Sequence, residues 1–147
     1  MLQNWLWIPN KSLGAIEFDT SIEIYINSIG AYMSEPKNDI TGWETYEIDN
    51  EELYIYVEEG LVVSVSAYES IYFKNINLIG LSQKELIEIL EVEPDEVGTP
   101  VLYEDGDVQT PLDFDSLGLG AWISNDRLVS GCCSNLIQFD ELGLAEL

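Results

Sequence analysis

The chain has 147 residues, with 28 Asp+Glu against 5 Lys+Arg, no His and a formal charge of −23. That charge opposes binding to nucleic acid or an anionic membrane, and the lack of His removes imidazole bases, His-ligated metals and His-dependent catalytic triads. Hydrophobic residues at 46% and aromatics at 11% are enough for a core, so the composition reads as one folded domain rather than a disordered acidic chain.

In chain order, Met1 to Ile8 is apolar but stops at Pro9-Asn10-Lys11. It lacks the basic start, longer apolar stretch and small-residue cleavage site of a signal peptide. No run reaches the roughly 18 apolar residues of a membrane span. Thr20-Ser-Ile-Glu23 has capping-box spacing, and Ile22, Tyr25, Ile26 and Ile29 then fall on one helical face, with Gly30 as the stop. Trp43 to Ile48 alternates as a strand. Leu53 to Val57, a turn at Glu58-Glu59-Gly60, and Leu61 to Tyr68 read as a hairpin. Ile71 to Ile79 is expected as a further strand.

Ser82-Gln-Lys-Glu85 repeats the capping box. Leu86, Ile89 and Leu90 give the apolar face, and Pro94 is the expected stop. Pro100 to Glu104 then meets a turn at Asp105-Gly106. Leu117 to Ile123, a turn at Ser124-Asn-Asp126, and Arg127 to Cys133 form a second hairpin. Adjacent Cys132 and Cys133 would point to opposite faces of a strand, so they are expected as free thiols in a reducing, cytoplasmic setting.

The two hairpins match in kind, which predicts internal repeats over 12–80 and 81–140 within a single domain, 1–147. The expected fold class is α+β. Two helix-plus-antiparallel-hairpin repeats would form a two-layer sandwich of helices on an antiparallel sheet. The order of Leu13-Gly14-Ala-Ile-Glu-Phe18, capped helix, hairpin, Leu78-Ile-Gly80, capped helix and hairpin resembles the duplicated helix-plus-sheet layout of β-lactamase-inhibitor-like domains. It also resembles small acidic bacterial immunity proteins of toxin–immunity systems, including the contact-dependent-inhibition type. The Gly-Pro usual after such helices is replaced by Glu91-Val-Glu-Pro94.

Two acidic clusters are the candidate partner-binding residues. One is Glu104, Asp105, Asp107, Asp113 and Asp115; the other centres on Glu47, Asp49, Glu51 and Glu52. Each is also readable as a solvated turn built on Asp105-Gly106 or Asp49-Asn50. The calcium-loop spacing is not met, so no metal site is expected. No phosphate loop, dinucleotide fingerprint or nucleophile elbow appears, so neither cofactor nor catalysis is expected. Trp43 and Trp122 sit in alternating strands and are expected in the core. Trp122 also follows the small residues Gly118, Gly120 and Ala121, which leave room for an incoming side chain. Tyr54 and Tyr56 face opposite to Leu53, Ile55 and Val57, and either face could be covered by a helix, with a row of aromatics then open on the other.

Self-repulsion at this charge costs stability, which favours a basic partner that uses the field. The expectation is an immunity protein that binds and neutralises a cognate basic toxin, a nuclease by preference, through electrostatic and aromatic occlusion. It would bind no nucleic acid and no membrane. The alternatives are a DNA-mimic inhibitor of a DNA-binding enzyme and a small-ligand-binding protein. Trp122 is included with the acidic residues as a candidate contact.

Overall fold

The computed structural model describes residues 5–136. These are 44% strand and 14% helix. The elements are β1 (Trp7–Ile8), β2 (Ser12–Leu13), β3 (Ile16–Glu17), α1 (Ile22–Ile29), β4 (Tyr32–Glu35), β5 (Glu44–Glu47), β6 (Leu53–Glu58) and β7 (Leu61–Ala67). They continue as β8 (Tyr72–Phe73), β9 (Ile76–Asn77), α2 (Gln83–Leu90), β10 (Glu96–Val97), β11 (Val101–Leu102), β12 (Val108–Phe114), β13 (Leu119–Ser124) and β14 (Arg127–Ser134). A single 3₁₀ turn, Asp115–Leu117, separates β12 from β13.

One nine-stranded antiparallel sheet dominates, in the order β10-β12-β13-β14-β7-β6-β5-β4, with β11 also on β12. Its two hairpins meet where β14 pairs with β7, Gly131 to Ser134 running against Ala67 to Ser64. Each hairpin turns on two residues with positive φ, Glu59-Gly60 and Asn125-Asp126, the backbone of a type I′ turn. One sheet face is apolar. Leu53, Ile55, Val57, Val62, Val65, Leu112, Phe114, Leu119, Ala121, Leu128 and Cys133 are buried there. Residues two apart on a strand share a face, so this alternation fixes the register of every central strand.

The cover over that face comes from many short pieces. Trp7, Leu13, Ile16 and Phe18 from the β1–β3 region join the same cluster, with Ile71 and Leu78 flanking the β8–β9 hairpin. The helices contribute Ile22, Tyr25, Leu86 and Leu90 as buried residues. Each helix start is tied to a hairpin tip. Ile22 N–H donates to Gly60 O at 2.9 Å, and Gln83 N–H donates to Asp126 Oδ1 at 3.3 Å.

This architecture corrects the expected two-layer sandwich of helix-plus-hairpin repeats. The described residues are mostly strand, and the helices, with eight residues each, are too short to cover such a sheet, so short strands supply much of the second layer. Local details also differ. Ser21 rather than Thr20 caps α1, because Thr20 Oγ1 instead donates to Glu17 O and meets the Tyr25 hydroxyl. Only Ser82 and Glu85 form the full capping box. Glu91, in the left-handed conformation, ends α2 before Pro94 is reached. The Ile71–Ile79 strand is broken by Lys74 and Asn75, both at positive φ, into a small hairpin. Leu117 lies in the 3₁₀ turn rather than in β13.

Gly118 follows that turn at φ +67, where a Cβ would collide with the Ser134 carbonyl oxygen. Gly60 at φ +81 has nothing within 4 Å. Gly118→Ala should therefore cost about 2–5 kcal/mol, from left-handed strain plus overpacking, and Gly60→Ala about 1–2 kcal/mol from strain alone. Urea unfolding midpoints of the two variants measure the difference.

Candidate functional site: the open face of the sheet

The opposite face of the sheet is built from alternating aromatic and small residues. Along one row, Tyr54 pairs with Ser66, Ser66 with Cys132, Cys132 with Gly120 and Gly120 with Asp113. A parallel row runs from Thr45 through Tyr56 and Ser64 to Ser134. Trp122 pairs with Ser130 and Pro111. Small residues thus line the centre and aromatics stand around it. Ser64, Ser66 and Ser130 are buried, while Tyr54, Tyr56 and Trp122 are half-buried. Among the described residues no helix or strand lies over them, because the elements that cover the sheet pack on the apolar face.

The aromatics hold one another. Trp43 stacks on Tyr56 with ring centroids 5.6 Å apart, and Tyr54 meets Tyr68 edge-on at 5.7 Å. Burial pushes the Tyr56 phenol up, partly offset by a hydrogen bond with Ser66. Burial likewise pushes Tyr68 up, helped by Tyr56, Tyr54, Cys132 and Tyr103. At the centre, Ser64 Oγ lies 2.7 Å from Cys132 Sγ and donates to Cys133 O at 3.3 Å. Cys132 and Cys133 are free and face opposite ways, as their adjacency predicts. The Cys133 thiol is held well above its ordinary value, first by burial and then by Cys132.

Two depressions open on this face. One, of about 370 Å³, is lined by Trp43, Glu58, Val63, Ser64, Cys132 and Ser134 among others. The other, of about 280 Å³, has Pro111, Asp113, Asp115, Gly120, Trp122 and Cys132 in its wall. The larger depression along α2, about 520 Å³, includes Lys84 beside Glu88 and Glu93, so its charge is mixed.

The structure separates the candidate residues that the sequence groups together. Asp113, Asp115 and Trp122 line one depression of the open face. Trp122 and Trp43 are therefore not core residues; the fully enclosed indoles are Trp5 and Trp7. Asp113 is a strand residue rather than part of a turn. Glu47 pairs with Tyr32 and points the same way as Thr45, towards this face. Asp49 stands beside Tyr32, whose phenol is pushed up by burial and by Glu47 and Asp49. Glu51 instead accepts from the Trp5 indole N–H at 3.1 Å, an anchoring role. Glu52 lies by a narrow crevice with Trp5 and Glu69.

Glu104, Asp105 and Asp107 form the exposed tip between β11 and β12. Asp107 accepts from Ser124 and Gln109, which hold its carboxyl below its ordinary range, Ser124 foremost. Asp105 Oδ1 accepts from Asp107 N–H at 2.8 Å, so this turn reading is correct. β12 is four strands from β6, roughly 19 Å at about 4.8 Å per step. The Glu104–Asp107 tip and the Asp49–Glu52 turn are therefore apart, while Asp113, Asp115 and Glu47 border the open face. Tyr68 and Tyr103 were missed by sequence reasoning; the alternation Ser64/Ser66 beside Tyr54/Tyr56 is the signal that could have located this face.

Among the described residues, no group of three or more His, Cys, Asp or Glu is placed to hold a metal ion. None of their helices is long and apolar enough to cross a membrane. No protein-family model, curated protein or solved structure matches the chain.

The raised phenols carry a stability consequence. A tyrosine whose folded-state pKa exceeds its unfolded value favours the fold fully below the unfolded pKa, near 10. That advantage is lost as pH rises through the folded value. Unfolding free energy should therefore fall above about pH 10, and Tyr56→Phe with Tyr68→Phe should remove part of the fall. Cys133 adds a loss of the same sign and remains in the variant. Urea titrations at stepped alkaline pH measure both slopes.

Proposed function

We propose that this chain is a stoichiometric binding protein that neutralises a basic protein partner, in the manner of a bacterial toxin-immunity protein. The observation that carries the reading is the aromatic open face bordered by carboxylates. Glu58, Asp113 and Asp115 line its depressions, and Glu47 lies along its edge. Aromatic side chains with fixed neighbours supply contact area at low entropy cost, and Trp and Tyr are frequent binding hot spots. The surrounding negative field attracts a basic partner and repels acidic ones.

Area bears on how much of the surface takes part. Six strands, β5 to β12 through the centre, span roughly 24 Å, and five residues along a strand span roughly 17 Å. That footprint of roughly 400 Å² is about half of the ~800 Å² per side typical of a stable interface. The carboxylate border therefore belongs to the contact. A nuclease toxin fits as partner because a cleft that binds nucleic acid is basic. Nothing in this mechanism requires a catalysed step, a cofactor or a metal.

Co-expression tests the reading. The C-terminal portion of the product of the adjoining upstream gene should arrest growth alone and not when this chain is co-expressed. Arrest that persists with both expressed would refute the pairing. With the purified pair, the association rate should drop on the order of tenfold or more between roughly 50 and 500 mM NaCl, as screening shortens the field. A rate independent of salt would remove the electrostatic part.

A further inference from the structure

We infer that the depression between Trp122, Asp113 and Asp115 receives an arginine side chain of the basic partner. This rests on the reading above and specifies which group of the partner enters and where. Gly120 is the floor. It lies between Asp113 on β12 and Cys132 on β14, and Trp122 stands two residues along the same strand and the same face. The absence of a side chain at Gly120 opens the space, about 280 Å³, next to the indole.

The wall chemistry selects a planar cation. Trp has the strongest π-face attraction for cations, and a guanidinium can stack on it while donating from its edge to carboxylates. Asp113 and Asp115 supply two carboxylates at that edge, and neither has a Lys or Arg among the residues lining the depression. Asp115 N–H is already engaged by Asp95 Oδ2 at 2.7 Å, which fixes the turn that presents its side chain. The Asp115 carboxyl is held above its ordinary range by partial burial, then by the charges of Asp95 and Asp113. An entering cation relieves that repulsion. A lysine ammonium is more strongly hydrated and offers no plane to stack, so it gains less here.

The occupant's charge is argued from complementarity. The chain carries 28 acids against 5 basic residues, and no cationic side chain among the described residues lining this depression offsets its two carboxylates. A Cβ at Gly120 would stand 3.8 Å from Asp113 Oδ1 and 3.9 Å from Cys132 Cβ, ordinary contact distances. Gly120→Ala therefore raises the floor without disturbing the fold and serves beside the charge variant.

The test uses nuclear magnetic resonance on the whole chain, with N-acetyl-arginine amide and N-acetyl-lysine amide as probes. The arginine probe should shift the Trp122 indole and the Gly120 and Cys132 amides together, to saturation in the millimolar range. The lysine probe should bind several-fold more weakly. Asp113→Asn with Asp115→Asn, and separately Gly120→Ala, should each weaken the arginine response about tenfold or more. Shifts spread evenly over residues 47–52 and 104–107 with none that saturate at Trp122, or a response unchanged in both variants, would overturn the inference. Growth rescue without a pocket response leaves the immunity reading and removes the arginine pocket; a pocket response without rescue does the reverse.

Discussion

The pairing of β7 with β14 is the contact on which the rest of the structure depends. It joins two hairpins that would otherwise each expose a long edge, and it makes their apolar faces continuous. The residues at the join are small: Ser64, Ser66 and Ala67 on one strand, Gly131, Cys132 and Ser134 on the other. On the apolar side this lets Ile71 and Leu119 press against Gly131, where a Cβ would stand 2.5 Å from Ile71 Cδ1. On the open side it leaves a low centre between Tyr54, Tyr56 and Trp122. One pairing thus closes the core and shapes the binding face.

The charge distribution follows from the same division. The apolar face admits no carboxylate, so the acids among the described residues are distributed over helices, turns, edges and the border of the open face. Some have structural duties. Glu51 holds Trp5, Glu85 closes the α2 cap, and Asp107 fastens the β11–β12 tip to Ser124. Others, such as Glu58, Asp113 and Asp115, border open space beside aromatic rings. A chain that tolerates self-repulsion of this size gains where the field meets a partner of opposite sign. In the proposed complex the aromatics would provide the short-range contact that slows dissociation.

Much of the local structure was legible in the sequence. The β6–β7 and β13–β14 hairpins and the Ser82 cap follow from alternation and turn chemistry; alternation separates the Tyr54/Tyr56 row from Leu53, Ile55 and Val57 but does not say which row is covered. The global fold class was not legible. Val108 to Phe114 contains Pro111 and Asp113 and lies between Asp107 and Asp115, so it reads as a loop, yet β13 pairs along five of its residues. Its apolar residues Leu112 and Phe114 are two apart, a signal too short to outweigh its neighbours. The two-residue strands near the N-terminus are equally silent, because their burial comes from the large sheet rather than from their own pattern. The candidate site was legible in part. Asp113, Asp115 and Trp122 meet on one face because a strand, not a turn, carries Asp113. Glu51 and Asp107 mislead because acidic composition alone does not distinguish a hydrogen-bonded anchor from a free carboxylate.

The central claim is that the open face is the binding surface. The most direct measurement compares affinities for the basic partner that the co-expression test identifies, using two sets of truncations that leave the net charge unchanged. One set replaces Tyr54, Tyr56 and Trp122 by Ala on the open face. The other replaces the exposed Tyr72 and Ile76 by Ala on the β8–β9 hairpin, away from that face. Circular dichroism and urea midpoints confirm that both are folded. The account predicts a loss of affinity on the order of a hundredfold or more for the first set, as expected for removal of aromatic hot spots. It predicts less than about threefold for the second. Equal losses, or a loss confined to the β8–β9 set, would contradict it.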